Sequence, residues 1–539
     1  MKKRLFSAIL AGITAASLLA GCGSTSGTSE GTSEASTAAA AESGDTAGSS
    51  AEEAASGGTV IMARGSDSES LDPVMTASNV DIWILNMVVE GLVGSSDDGT
   101  EIIPAVADTW EVSDDGLTYT FHIRDGIQFS TGDPVTAEDV VYSLTRAKEA
   151  EGPWAGMLDM MDSIEDGGDG TVIAHLNAAS PAFLPTIAMF YCGIMPKAYC
   201  EEQGEEGLAE KPVGTGPFVL DSWSRGEKMV FKKNTNYWES GSPKVDEIDL
   251  NVVADDSTRI MQLESGQIDI AADVPYSRVS ELQAASGVEV SFFDSTDVKF
   301  VLINCQGEET KDKRVRQALA LATDKKAIND AVYYGNGTLA ETYLAPALPY
   351  SDQDIPAAGV DVEKAKELLT EAGYPDGFSI SVQVGNGDSE VLQTATLLQQ
   401  QWKEIGITLD IQQIDKATAR QNWKDGNYDV FISNMTSDMT DISELAGLVA
   451  IESQTHCWRT YWNDEDQKKA EEYCTEGNSE MDETKRAEAY KNMQEVIADA
   501  VPLIPILYAP YTFVTTDKVQ GAAQNPLGVY NFRNMTISK

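Results

Sequence analysis

The sequence predicts an α/β protein, and three observations carry that prediction. The stretch from 378 to 433 reads as strand, helix, strand, short helix, strand. The natural solution of such a β-α-β-α-β run is a parallel sheet with right-handed crossovers. From Ser295 onward, helical patterns alternate with short strands. Ahead of that point "LTYTFHIR" (117–124) alternates apolar and polar residues, as a half-buried strand does.

The N-terminus predicts export rather than fold. Lys2, Lys3 and Arg4 head an apolar run from Leu5 to Ala20 that ends in "LLAGC". The run is short of the roughly 20 residues a membrane span needs and reads as a signal peptide, residues 1–21. Leu19-Ala20-Gly21-Cys22 resembles the bacterial lipoprotein box, which implies lipidation of Cys22. Residues 22–57 hold this Cys and a run of Ser, Thr, Gly, Ala and Glu without large apolar residues. Such a segment is a flexible tether reaching roughly 30–35 Å. The expected location is the extracytoplasmic face of a membrane, with the protein anchored by its lipid.

The body from Gly58 has a globular composition and no second apolar run of membrane length. A net charge of −48 excludes nucleic acid as a partner and favours cationic ligands. Without Cys22, five Cys remain: Cys192, Cys200, Cys305, Cys457 and Cys474. Their pairing is open, although export permits disulfides.

The elements follow in order. In "LTYTFHIR" Leu117, Tyr119, Phe121 and Ile123 face inward, leaving His122 on the wet face. "TAEDVVYSLTRAKE" starts a helix with Thr136 and Asp139 at capping-box spacing. "PVGTGPF" (212–218) reads as a stiff turn, because no Lys-Ser/Thr follows to make it a phosphate loop. "VRQALALATDKKAINDAVYYG" predicts two helices, the first lined by Val315, Leu319 and Ala322. The second is lined by Ala327, Ile328, Ala331 and Val332. "GNGTLA" (335–340) matches a dinucleotide fingerprint by letter but follows a helix, not a strand. "DVEKAKELLTEAG" (361–373) runs from an Asp N-cap to a Gly. The helix from Asp388 to Gly406 carries a stripe of Val391, Ala395, Leu398, Trp402 and Ile405. After the third strand, "YDVFIS", the chain leaves through "MTSDMTD" (435–441). In open α/β sheets ligands bind at the carboxyl ends of strands, which marks Asp438 as a candidate contact.

A set of stretches in fixed order resembles the extracytoplasmic solute-binding lipoproteins of ABC importers, in the family 5 class of dipeptide, oligopeptide and nickel receptors. They include "LDP" (71–73), "VVEGLV" (88–93), "PVGTGPF", "NTNYW" (234–238), "DKRVRQALALATD" (312–324), "EKAKELLTEAGY" (363–374) and "VPLIPI" (501–506). Longer matches span 104–144 and 244–270. The resemblance implies a bilobal clamshell of the class II type with an extra subdomain in the N-terminal lobe. Lobe I is expected over 58–295 plus 507–539, its subdomain at about 104–212, and lobe II over 296–506. It implies capture of a peptide-like solute, delivery to membrane permease subunits, action as a monomer, no cofactor and no catalysis. In dipeptide receptors of the class a W-T-G-D pattern supplies an Asp for the peptide's α-ammonium, and "MTSD" resembles it. This carries Asp438 over, with Asn434, Met435, Thr436, Ser437 and Trp458 as neighbouring contacts. Asp441 is expected to be a solvated or loop-capping carboxylate. The Arg that clamps the ligand carboxylate in some receptors has no counterpart in "GNGD" (385–388).

Two alternatives stand beside this reading. Within the same fold, a nickel chelate would use His456, and an oligosaccharide would stack on Trp83, Trp423, Trp458 or Trp462. A secreted hydrolase would need Asp438 and Asp441 as an acid/base pair, but acids on one loop seldom span a scissile bond. Only three His occur, and no Ser/His/Asp or H-E-x-x-H arrangement is evident.

Overall fold

The computed structural model describes residues 57–356, 359–452 and 460–538. The signal segment, Cys22, the tether, His456, Cys457 and Trp458 lie outside these. The architecture is a bilobal α/β clamshell. The first lobe is built on a sheet ordered Val288–Phe293, Tyr511–Thr516, Ile270–Ala272, Thr59–Arg64, Glu247–Val252, Lys228–Lys233, Phe218–Ser224. The second is built on a sheet ordered Thr338–Leu339, Leu503–Tyr508, Val298–Ile303, Val430–Met435, Ser379–Gly385, Thr408–Ile414. The chain passes between the two sheets at 294–297 and again at 509–510. An antiparallel sheet of Ala107–Val112, Thr118–Ile123, Thr171–Leu176 and Met161–Gly168 forms the extra subdomain of the first lobe.

The β-α-β-α-β prediction holds. Ser379–Gly385 pairs in parallel with Thr408–Ile414 on one side and with Val430–Met435 on the other. The intervening helix, Ser389–Lys403, is capped by Asp388, whose side chain accepts from the Val391 amide. It buries Ala395, Leu398 and Trp402 against the second-lobe core. Gly377 and Gly406 close the unit: a Cβ on Gly377 would lie 1.9 Å from the Gly406 carbonyl oxygen, so only glycine fits.

Other elements follow their sequence signals. The helix Ala137–Glu149 carries the full Thr136/Asp139 capping box. Helices Lys313–Leu321, Lys325–Val332 and Val362–Glu371 each start at an aspartate cap: Asp312, Asp324 and Asp361. One stripe differs from expectation. Ala331 is exposed, and Asn329 is buried in its place. The Asn329 amide holds the turn after the helix, donating to the Gly337 carbonyl at 2.7 Å and accepting from the Gly337 amide at 3.1 Å. Periodicity had weighed only apolar side chains, so a polar residue buried for a turn escaped it.

Among the described residues no helix is long and apolar enough to cross a membrane. Cys192, Cys200, Cys305 and Cys474 are buried free thiols. Burial pushes the Cys200 thiol up to about 11 and those of Cys305 and Cys474 up to about 12, so they pack as small apolar groups.

Candidate functional site

The strand Val430–Met435 is held antiparallel to Val298–Ile303, with Val298 opposite Met435 and Lys299 opposite Asn434. It extends to Met435, two residues beyond the apolar run that predicted it. The loop that follows is tied down on several sides. The Ser437 amide donates to Thr296 Oγ1 at 2.8 Å, which fixes the loop to the first crossing between the sheets. Ser437 Oγ donates to Glu444 Oε2 at 2.9 Å, and the Asp438 amide donates to the same oxygen at 2.9 Å. Asp441 Oδ1 accepts from the Ser443 amide at 2.9 Å, at the start of the helix Ser443–Ala450. It also accepts from Arg486 Nη2 at 2.8 Å.

Asp441 is therefore buried and ion-paired, as well as loop-capping, and not solvated. The Arg486 guanidinium donates in addition to the Gly477 carbonyl at 2.8 Å. The two aspartates of "MTSDMTD" thus have separate fates: one builds the loop and the other projects from it.

Asp438 lines a cavity of about 130 Å³. Its Oδ1 is buried and has no hydrogen-bond partner among the described residues. The other walls come from the first lobe: parts of 82–97, Trp238, and residues from 525 to 533. Loss of water, with the Glu444 carboxylate alongside, holds the Asp438 carboxyl well above the ordinary carboxylate range. Burial pushes Glu444 up to about 7, against hydrogen bonds from the Asp438 amide and Ser437. The site is a desolvated pair of acids, one of which, Asp438, lines the cavity, an arrangement that a cationic group relieves.

The remaining predicted contacts divide. Thr436 Oγ1 accepts from Asn79 Nδ2 of the first lobe at 3.2 Å, so it joins the lobes. Ser437 is fully buried, with its hydroxyl engaged by Glu444. Asn434 is exposed and donates to Asp297 Oδ1 at 2.8 Å. Met435 is half-buried against the apolar cluster of the second lobe. Of the tryptophans, Trp423 stacks on Phe431 at 5.3 Å and 9°, and Trp462 is buried, so both pack the second lobe. Trp83 sits edge-on to Tyr511 at 5.1 Å. No cluster of three or more His, Cys, Asp or Glu able to hold a metal occurs among the described residues.

Sequence reasoning missed two features of this site. The first is Glu444, in the first turn of the helix that follows the loop; a second acid shortly after Asp438 was the available signal. The second is the first-lobe wall around Glu90. Glu90 accepts from Thr215 Oγ1 at 2.9 Å, Tyr237 OH at 3.0 Å and Trp238 Nε1 at 2.9 Å. One buried acid thus ties "VVEGLV", "PVGTGPF" and "NTNYW" together. "PVGTGPF" is a strap as well as a turn. A Cβ on Gly214 would lie 2.6 Å from the Val88 carbonyl oxygen, and one on Gly216 would lie 2.6 Å from that of Met87.

Two lobes on separate sheets, crossed twice by the chain and enclosing a cavity between a loop of one and the wall of the other, define a solute-binding protein of the ABC importer type. Residues 101–454 match the model of the bacterial extracellular solute-binding proteins, family 5 (middle region), and the chain belongs to that family. It is 29% identical to heme-binding protein A of Haemophilus influenzae over 84% of this chain and 87% of that one. It is 27% identical to the dipeptide-binding protein of Escherichia coli K12 over 86% of this chain and 90% of that one. The Helicobacter pylori periplasmic binding protein DppA in complex with peptide STSA superposes with a TM-score of 0.80. That match is at 25% identity and covers 90% of this chain and 99% of that one. Members of the family are extracytoplasmic binding proteins that work with ABC permease components, and they are not enzymes.

Proposed function

We propose that the chain captures a peptide, or a related solute bearing a primary ammonium group, with that group against Asp438. The observation that carries the reading is the buried Asp438 Oδ1, aimed into the cavity without a partner among the described residues. A buried carboxylate gains most from a partner charge delivered to it in place of water. Relatives named for dipeptide binding, and a structural neighbour holding the peptide STSA, support the same ligand class. Met435 replaces the Trp of the dipeptide-receptor pattern, and "GNGD" offers no Arg for a ligand carboxylate. These departures favour a peptide longer than two residues or another amine.

In this reading lobe I (58–295 plus 507–539) and lobe II (296–506) close about the crossings at 294–297 and 509–510. The protein is a monomer anchored through Cys22, and it hands its solute to a membrane permease. The test is calorimetry on wild type and Asp438→Ala with peptides carrying free or acetylated N-termini, and with hemin and nickel-histidine as competing ligand classes. The variant is expected to lose about 2–5 kcal/mol of peptide binding. An unchanged dissociation constant, or indifference to acetylation, refutes the assignment.

A further inference from the structure

The cavity contains a second polar group without a partner, on a different element from Asp438. Asn531 lies in the short strand Tyr530–Asn531, which pairs with Ala523–Gln524 near the end of the chain. It lines the same cavity as Asp438. Its Oδ1 is buried and has no hydrogen-bond partner among the described residues. Two other asparagines of the first lobe show the usual pairing. Asn525 Oδ1 accepts from the Val529 amide at 2.9 Å, and Asn234 Nδ2 donates to the Gly216 carbonyl at 2.8 Å. Buried polar atoms in folded proteins nearly always have partners, so an orphan on a binding cavity points to a group supplied from outside.

The unpaired atom is a carboxamide oxygen, an acceptor that suits a peptide N–H. A primary amine without an adjacent amide satisfies Asp438 and leaves Asn531 unmatched. A peptide carries a donor for each, an ammonium and, one carbon beyond it, a peptide group. We propose that Asn531 is a specificity-determining residue that receives the first peptide group of the ligand. Its Oδ1 accepts the ligand N–H. This rests on the ammonium reading of Asp438 and adds to it the discrimination of peptides from simple amines. A site built to bond a polar group rejects the analogue lacking that group, because its own atom is left unpaired.

The experiment is titration calorimetry with alanine oligomers of two to five residues. The best binder is compared with its N-acetyl form and with the analogue whose first peptide N–H is replaced by an ester oxygen. Wild type is expected to bind the ester about three- to tenfold more weakly than the peptide. In Asn531→Ala that penalty falls to about twofold or less, as a double-mutant cycle requires of a direct contact. Asn531→Asp keeps an acceptor and retains the ester penalty, which separates recognition from a general effect on the fold. Binding that is lost on acetylation but indifferent to the ester in wild type overturns the role of Asn531 alone. So does an ester penalty that persists in Asn531→Ala. Failure of every alanine oligomer to bind, or indifference to acetylation, overturns the ammonium reading itself.

Discussion

At the scale of single residues, the proposed ammonium contact at Asp438 makes binding a proton-linked event. Both acids are held above their ordinary range, Glu444 at about 7, chiefly by burial. Below that pH the ligand-free pair retains protons, while an ammonium group binds the ionised carboxylate. In that reading peptide affinity is expected to rise with pH as the raised acids lose their protons. Calorimetry in buffers of different ionisation enthalpy should show proton release on binding at pH 6 that diminishes as pH rises. Linkage gives the opposite sign for the empty protein. A folded-state pKa raised above the unfolded value favours folding at low pH, and that contribution is lost as pH rises through about 7. Glu444→Gln should flatten the dependence of melting temperature on pH between about 4.5 and 7.

Asp441 belongs to the same scale and predicts the reverse pattern. Its pair with Arg486 is buried on both sides, so Asp441→Ala leaves an uncompensated guanidinium. Denaturant unfolding should show a loss of about 3–5 kcal/mol in stability. The affinity of the folded fraction should change far less than in Asp438→Ala, since Asp441 points into the helix start and not the cavity. Sequence reading separated the two acids by position after the strand. It did not find Arg486, because nothing local links residues 45 apart.

At the scale of elements, the loop 436–442 couples the site to closure. Met439, one residue past Asp438, is buried in the apolar core of the first lobe, although its chain neighbours belong to the second. Together with the Thr436–Asn79 hydrogen bond it joins the lobes on either side of Asp438. Truncating a buried Met costs about 2–5 kcal/mol, and here that loss falls on a contact between the lobes. Met439→Ala should therefore enlarge the ligand-free radius of gyration by X-ray scattering. It should also weaken peptide binding in proportion to the fall in the closed fraction. An unchanged radius with unchanged affinity would remove Met439 from the closure contact. The surrounding elements were readable because their signals are local: aspartate caps, terminal glycines and apolar stripes. The glycines of "PVGTGPF" were not readable as a strap, because the backbone they press against lies more than a hundred residues earlier.

At the scale of the whole molecule, two open sheets leave a seam where an acid of one lobe meets a wall of the other. The strand Tyr511–Thr516 inserts between Val288–Phe293 and Ile270–Ala272, which locks the end of the chain into the first lobe. It also brings Asn531 to the cavity. The amino-acid sequence by itself determined the helices and strands, their caps, the parallel unit over 378–433 and the exit of Asp438 from a strand's carboxyl end. Periodicity and capping act between near neighbours, so they are written locally. Only the tertiary structure decided that Glu444 shares the acid site, that Arg486 neutralises Asp441, and that Glu90 and Asn531 stand on the cavity wall. Those relations join side chains far apart in the chain, and they exist only once burial removes the water that would otherwise satisfy each group.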